Sequence, residues 1–195
     1  YEIVACLNYA LSDWIDNSDQ YIIVTSLINN NGEFSFDPFL AFFDQLYDDI
    51  QQHYNMVFEK RLVQINLPRS LSRDYLSAVV LYHELGHFVD LKLSIIARLI
   101  YALQQRFQHN SISDVLKDQF RTFIPFIDQI TTRHGASAVA MHLSEYFCDL
   151  FASQYIGESS NYFLSYITEK SSLWDETHPA TKNRVDVVSD FLNNR

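Results

Sequence analysis

The segment from Ser72 to about Gln108 constrains the fold most, because it is long, largely apolar, and contains no proline and a single glycine. Such a run favours a helix, since glycine and proline are the residues that most destabilise one. Only 4 Gly and 4 Pro occur in all 195 residues, whereas 48% of the residues are hydrophobic. The sequence therefore predicts a mainly α fold with a small β-sheet (α+β), whose central helix bends or breaks near Asp90.

The motif HELGH, His83 to His87, lies inside this predicted helix. Residues four apart share one helix face, so His83 and His87 can present two imidazoles to one tetrahedral zinc ion, with Glu84 beside it. Zinc lowers the pKa of a bound water to about 7, and an adjacent carboxylate can accept its proton as the water attacks a carbonyl. The pattern predicts a metal-assisted hydrolase with Glu84 as general base. The alternative is a pair of core-edge histidines on an amphipathic helix.

A catalytic zinc normally has three protein ligands, and HELGH supplies two. The extended pattern HExxHxxGxxH does not continue from it, because Asp90 stands where its Gly would be and Leu93 where its His would be. The third ligand therefore has to come from another part of the chain.

The predicted helix 136–156 is the best supplier, since His142, Glu145 and Asp149 follow one another on one face at spacings of three and four. We expect Glu145 to be the third ligand. Asp149 is expected to accept the second ring N–H of a zinc-bound histidine, which fixes the tautomer of that ring. His142 is a rival ligand, or otherwise a partly buried histidine. Alternatively, Glu145 and Asp149 are ordinary solvated charges, which so apolar a helix disfavours.

The remaining pattern predicts two strands and six further helices. The strands are the β-branched run Tyr21–Ile28 and the segment from about Arg61 to Leu67, and residues 29–32 form a turn. By analogy with zinc hydrolases of this helix-borne type, the second strand is expected to form the edge of the substrate cleft. The helices are predicted at residues 1–16, 38–53, 111–135 with a kink at Pro125, 136–156, 161–170 and 179–192.

Charge and cysteine content narrow the partners and the compartment. A net charge of −10 without any Lys/Arg-rich run argues against nucleic acid or an anionic membrane as the main partner. Cys6 and Cys148 are too far apart in sequence for a CxxC pair and suit a reducing compartment. The longest apolar segment, Leu91 to Leu103, is too short to span a bilayer, and the first residues lack the basic region of a signal peptide. We expect a cytoplasmic protein, or a domain of a larger one, that does not insert into a membrane through this segment.

Three blocks in order resemble the gluzincin zinc metallopeptidases: HELGH at 83–87, the ExxxD of Glu145 and Asp149, and THPATKNR at 177–184. Their order and spacing are most similar to the family of the CAAX prenyl endopeptidases and the heat-shock protease HtpX, with its soluble relatives. The resemblance covers only these blocks within residues 79–190.

The resemblance implies one zinc per chain, bound by His83, His87 and Glu145, with Glu84 as general base and Asp149 supporting a ligand. It also implies that His178 and Arg184 lie at the cleft. There they would stabilise the oxyanion of the tetrahedral intermediate or hold a substrate carboxylate or carbonyl. The structural alternative is that Thr177 caps the last helix, Pro179 occupies its first turn, and Arg184 is a surface charge.

The expected molecule is a single zincin-like metallopeptidase domain over residues 1–195, with N-terminal helices and edge strands in 1–70 and a helical zinc-site core in 71–195. It would be a zinc-dependent endopeptidase whose protein or peptide substrate lies extended along the strand near residues 61–67. A function from another class is a catalytically silent or single-substrate domain that folds around zinc and presents a surface to a regulator.

Overall fold

The computed structural model describes residues 2–28, 34–69, 77–167 and 175–194. In these ranges the chain forms nine α-helices and one three-stranded sheet. The predicted α+β class, mainly helical with a small sheet, is therefore confirmed. Internal contacts divide the chain into two compact units, Tyr1–Val89 and Asp90–Arg195, which are described in turn.

The sheet belongs to the first unit and consists of β1 (Tyr21–Ile28), β2 (Ser35–Asp37) and β3 (Arg61–Pro68). Its strand order is β1-β3-β2. β1 runs parallel to β3 along its whole length, and β2 runs antiparallel to β3. Both predicted strands are confirmed, whereas β2 was not predicted because its three residues are too few for a strand pattern.

The expectation that the strand near residues 61–67 is an edge strand is wrong. β3 is central, and over Gln64–Asn66 it pairs with β1 on one side and with β2 on the other. Its alternate residues Val63, Ile65 and Leu67 are buried, as a central strand requires.

The first unit also contains α1 (Glu2–Trp14), α2 (Pro38–Phe42) and α3 (Asp44–Tyr54). The carboxylate of Asp37 accepts a hydrogen bond from the Phe39 N–H at 2.9 Å, so Asp37 is the N-cap of α2. The single helix predicted to follow it is instead split at Phe43, whose φ of −94° and ψ of 88° are not helical.

The helix that carries HELGH is α4 (Ser77–Leu93). Its Phe88 is fully buried and packs against Tyr21 at 5.0 Å, Phe36 at 5.8 Å and Phe42 at 5.4 Å between ring centroids. These contacts fix the helix against β1, β2 and α2. Ser72, where the predicted helical segment begins, lies outside the described residues, as does the predicted turn at 29–32.

The central helix is interrupted at Ser94, four residues after the predicted position near Asp90. Ser94 adopts a left-handed conformation with φ of 53°, and α5 (Ile95–Gln108) begins after it. Buried Asp90 accepts hydrogen bonds from the Ile96 N–H at 2.8 Å and from the Ser144 hydroxyl at 3.1 Å. Its carboxylate therefore satisfies an otherwise free N–H of the first turn of α5.

The second unit contains α5, α6 (Asp114–Phe123), α7 (Arg133–Ile156), α8 (Ser159–Ile167) and α9 (Thr181–Asn193). Its apolar core contains Leu103, Ile124, Ile127, Ile130, Val139 and Tyr146. None of the helices in the described ranges is long and apolar enough to cross a membrane.

Three predicted boundaries in this unit are wrong. α6 ends at Phe123 rather than running through Pro125, because proline lacks an N–H and disfavours helical backbone in the residue before it. Gly135 lies in the first turn of α7, not at a helix end. α9 begins at Thr181 with Ala180 as its N-cap, so Pro179 precedes the helix. The predicted stop of α7 at residue 157 is confirmed.

Candidate active site

His83 and His87 lie on one face of α4, as their spacing predicts. Their ring centroids are 5.0 Å apart, and one ring nitrogen of each lies within 4.8 Å of the other. Two imidazoles on one tetrahedral zinc have their ligand nitrogens about 3.4 Å apart, for bonds of about 2.1 Å. Both rings are half-buried. The pair therefore fits a shared metal ion with small rotations of the rings.

Glu84, which lies between the two histidines in sequence, is buried, with 7% of its surface exposed. Glutamate is rarely buried to this degree, because its charged form loses hydration. On the face opposite His83 and His87, Leu85, Phe88 and Val89 are fully buried in the apolar core. A buried carboxylate that lies in sequence between two half-buried histidines is uncommon on a solvated helix surface.

The two carboxylates that the sequence singled out on α7 are buried. Glu145 is 9% exposed and Asp149 is 2% exposed. The alternative that they are ordinary solvated charges is therefore wrong. One helical turn separates them, so both point to the same side of α7.

The cation that accompanies these carboxylates is Arg184 of α9. Its Nε and Nη2 donate to the two oxygens of Asp149 at 2.6 and 2.7 Å, a bidentate pair. Nη2 also lies 3.2 Å from Oε2 of Glu145. Arg184 is only 8% exposed, so it is not the surface charge of the structural alternative. Burial alone would lower the pKa of Arg184, but the charge and hydrogen bonds of Asp149 and the charge of Glu145 outweigh that effect and raise it.

His178 lies in the segment before α9, and its side chain is 58% exposed. Asp175 organises this segment, since one of its carboxylate oxygens accepts from the N–H groups of Thr177 at 2.7 Å and His178 at 2.6 Å. The Thr177 hydroxyl also donates its hydrogen to that carboxylate. The hydroxyl oxygen of Thr177 therefore accepts a hydrogen bond from Nδ1–H of His178 at 2.8 Å. Thr177 thus holds the loop and does not cap α9.

Asp175 was not predicted, although an Asp two residues before a Thr is a sequence pattern of such side-chain turns. The hydrogen bond from the Thr177 side chain, helped by those from the backbone, lowers the pKa of Asp175 to about 2. The carboxylate is therefore ionised near neutral pH, where it can accept the hydrogen bonds of Thr177 and His178.

His142, the rival ligand, is fully buried on α7. Its Nε2 lies 2.7 Å from the backbone oxygen of Asp175, and because a carbonyl only accepts, Nε2 must carry the hydrogen. Nδ1 has no hydrogen-bond partner. Burial, as the largest cause, lowers the pKa of His142. The ring is thus neutral and tied to the loop that carries His178.

Two tyrosines next to the site residues belong to the core. Tyr146 is 6% exposed and donates its hydroxyl to the Phe123 carbonyl at 2.8 Å, and burial raises its pKa. Tyr82 is 7% exposed, and burial likewise raises its pKa. Both side chains are therefore packing residues.

Comparison of the chain with protein-family models, with curated proteins and with solved structures finds no match. The argument for a function therefore depends on the residues and on the geometry within each unit.

Proposed function

We propose that the chain is a zinc-dependent metalloendopeptidase of the gluzincin type that hydrolyses peptide bonds in a protein or peptide substrate. The observation that carries the proposal is the arrangement on α4, where two imidazoles 5.0 Å apart share one face with the buried carboxylate of Glu84 beside them. This combination has the donor type and spacing of a hydrolytic zinc site.

His83, His87 and Glu145 would hold the metal, one ion per chain. Two neutral imidazoles and one carboxylate are a ligand set that catalytic zinc takes in proteins, with the fourth position left to water. Glu145 suits this role because it is buried, and because Arg184 engages one of its oxygens. When bound, zinc supplies a water of lowered pKa and polarises the substrate carbonyl.

Glu84 would be the general base. Its carboxylate accepts a proton from water as the water oxygen attacks the carbonyl carbon of the peptide bond, and it then delivers that proton to the nitrogen as the C–N bond breaks. The burial of Glu84 supports this role, because proton transfer and charge stabilisation are stronger where bulk water is excluded.

His178 would act at the oxyanion. Its exposed ring donates one hydrogen bond from Nδ1 to Thr177, and in its protonated form Nε2 donates to a developing negative charge. The hydrogen bond predicted from a zinc-bound histidine to Asp149 stays part of the proposal. Pairing of the substrate with β3 is left out of it, because β3 is a central strand.

Glu84→Gln tests the mechanism, since it keeps the shape of the side chain and removes the base. We expect one zinc per chain by mass spectrometry in both the wild type and the variant. Cleavage of a denatured protein or a mixed peptide library should fall by about 10²–10⁴-fold in the variant. Glu158→Gln is the matched control, because Glu158 is an exposed glutamate that follows α7.

Each other outcome is informative. Full cleavage by Glu84→Gln contradicts the role of Glu84. Stoichiometric zinc without any cleavage by the wild type supports the silent or single-substrate domain instead. If the wild type takes up no zinc after refolding with the metal, His83 and His87 are a core-edge pair and the proposal is wrong.

A further inference from the structure

The carboxylates on α7 receive Arg184 unequally. Asp149 takes two short hydrogen bonds, at 2.6 and 2.7 Å, one to each oxygen. Glu145 takes a longer contact of 3.2 Å, to Oε2 only. A bidentate pair fixes the plane of the guanidinium. Asp149 therefore anchors Arg184, and Arg184 in turn constrains Glu145.

The cluster is buried, since Asp149 is 2%, Arg184 8% and Glu145 9% exposed as whole residues. Burial strengthens the attraction between the guanidinium and the carboxylates, because little water screens it.

We propose that Arg184 is a positioning residue for the metal ligand Glu145, and not a group that contacts the substrate. It fixes the orientation of the Glu145 carboxylate through Oε2, and Asp149 holds Arg184 in place for this purpose. This inference rests on the proposed zinc site. It replaces the role at the oxyanion that the resemblance implies for Arg184, because its Nε and Nη2 are already engaged within the cluster.

Arg184→Met tests the proposal, because it keeps an unbranched side chain of similar length and removes the charge and the donors. We expect the dissociation constant for zinc, measured by competition with a chromophoric chelator, to rise about 10–100-fold, as for other residues that orient metal ligands. Arg184→Lys should recover only part of this loss, since an ammonium group cannot make the bidentate pair with Asp149.

The matched control is Arg121→Met in the same unit. Arg121 also makes a bidentate pair, with Asp128 at 2.7 and 3.0 Å, but that pair is exposed. We expect unchanged zinc affinity in this variant. A second readout is the visible absorption spectrum of the Co²⁺-substituted protein, which reports ligand geometry. It should change in Arg184→Met and not in Arg121→Met, whereas loss of a structural ion pair alone would leave it unchanged.

A folded Arg184→Met protein with wild-type zinc affinity and an unchanged cobalt spectrum would overturn the proposal. If Arg184→Met does not fold, Arg184→Lys decides, and wild-type affinity in that variant overturns the proposal as well. These results would leave the zinc site itself standing. Failure of the wild type to bind zinc would instead remove the proposed function, and this inference with it.

Discussion

At the scale of single residues, His142 shows how burial controls a protonation state. The neutral ring donates from Nε2 to the Asp175 carbonyl, and a proton added at Nδ1 would have no acceptor. Burial lowers the pKa of His142 more than the hydrogen bond to Asp175 and the charges of Asp175 and Glu145 raise it, and the charge of His178 lowers it further.

The first prediction concerns the pH dependence of stability. The pKa of His142 is lower in the folded chain than in the unfolded chain, where it is about 6.5. The unfolded state therefore binds more protons below that pH, so the stabilising effect is present above about pH 6.5 and is lost as the pH falls through the folded pKa. We expect the free energy of unfolding to fall less steeply between pH 7 and 5 in His142→Gln than in the wild type.

The measurement is urea unfolding across this pH range with a chelator present, so that no metal contributes. His134→Gln is the control, because His134 is on the same helix but its side chain is 71% exposed. It should keep the wild-type slope. Equal slopes for His142→Gln and the wild type would contradict the prediction.

The sequence could predict the positions of the site residues better than their surroundings. The spacing of Glu145 and Asp149 indicates one helix face, and the structure has them on one face of α7. The local pattern gives no sign that Arg184 is buried against these carboxylates. Arginine is usually exposed, and Asp149 lies 35 residues before Arg184 in the chain. Pairings between distant helices depend on tertiary packing, which a single sequence does not specify.

At the scale of elements, the beginning of α7 depends on Gly135. A Cβ atom there would lie 2.2 Å from the Gln129 carbonyl oxygen and 2.6 Å from its carbon. Both are backbone atoms that cannot move without disturbing the turn at Ile127–Gln129. The glycine thus permits a close approach of the chain inside the first turn of α7.

We predict that Gly135→Ala lowers the free energy of unfolding by about 1–3 kcal/mol, as overpacking typically does. The result is opposite in sign to the gain of up to about 1 kcal/mol that alanine brings at an open helix position. Ser137→Ala, at an exposed position two residues later, is the control and should stay within about 0.5 kcal/mol. Equal or higher stability of Gly135→Ala in thermal unfolding would be inconsistent with the close approach.

The elements predicted well are those with a continuous local pattern. β1 matches its predicted bounds because a β-branched run sets it, and α7 stops at Gly157, whose φ of 60° suits glycine. The break at Phe43 was missed because it contains neither glycine nor proline. Gly135 misled the prediction for the opposite reason, since the sequence marks a glycine but does not say whether a turn or a close contact requires it.

At the scale of the whole molecule, the proposed zinc site couples metal binding to folding. A ligand that binds only the folded chain stabilises it by mass action. Zinc should therefore protect the fold against unfolding, and the protection should depend on each proposed ligand.

We predict that zinc at about 100 times its dissociation constant stabilises the wild type by about 2.7 kcal/mol, which corresponds to a rise in Tm of about 5–10 °C for a chain of this size. Glu145→Ala should lose most of this zinc-induced rise, because two imidazoles alone bind the ion weakly. The comparison uses the shift on adding zinc rather than the Tm itself, since removal of Glu145 also deprives Arg184 of a partner. Glu158→Ala should keep the full shift.

If Glu145→Ala also keeps the full shift, the third ligand is another group. Loss of the shift in Cys148→Ser would then assign that ligand to the buried thiol three residues further along α7.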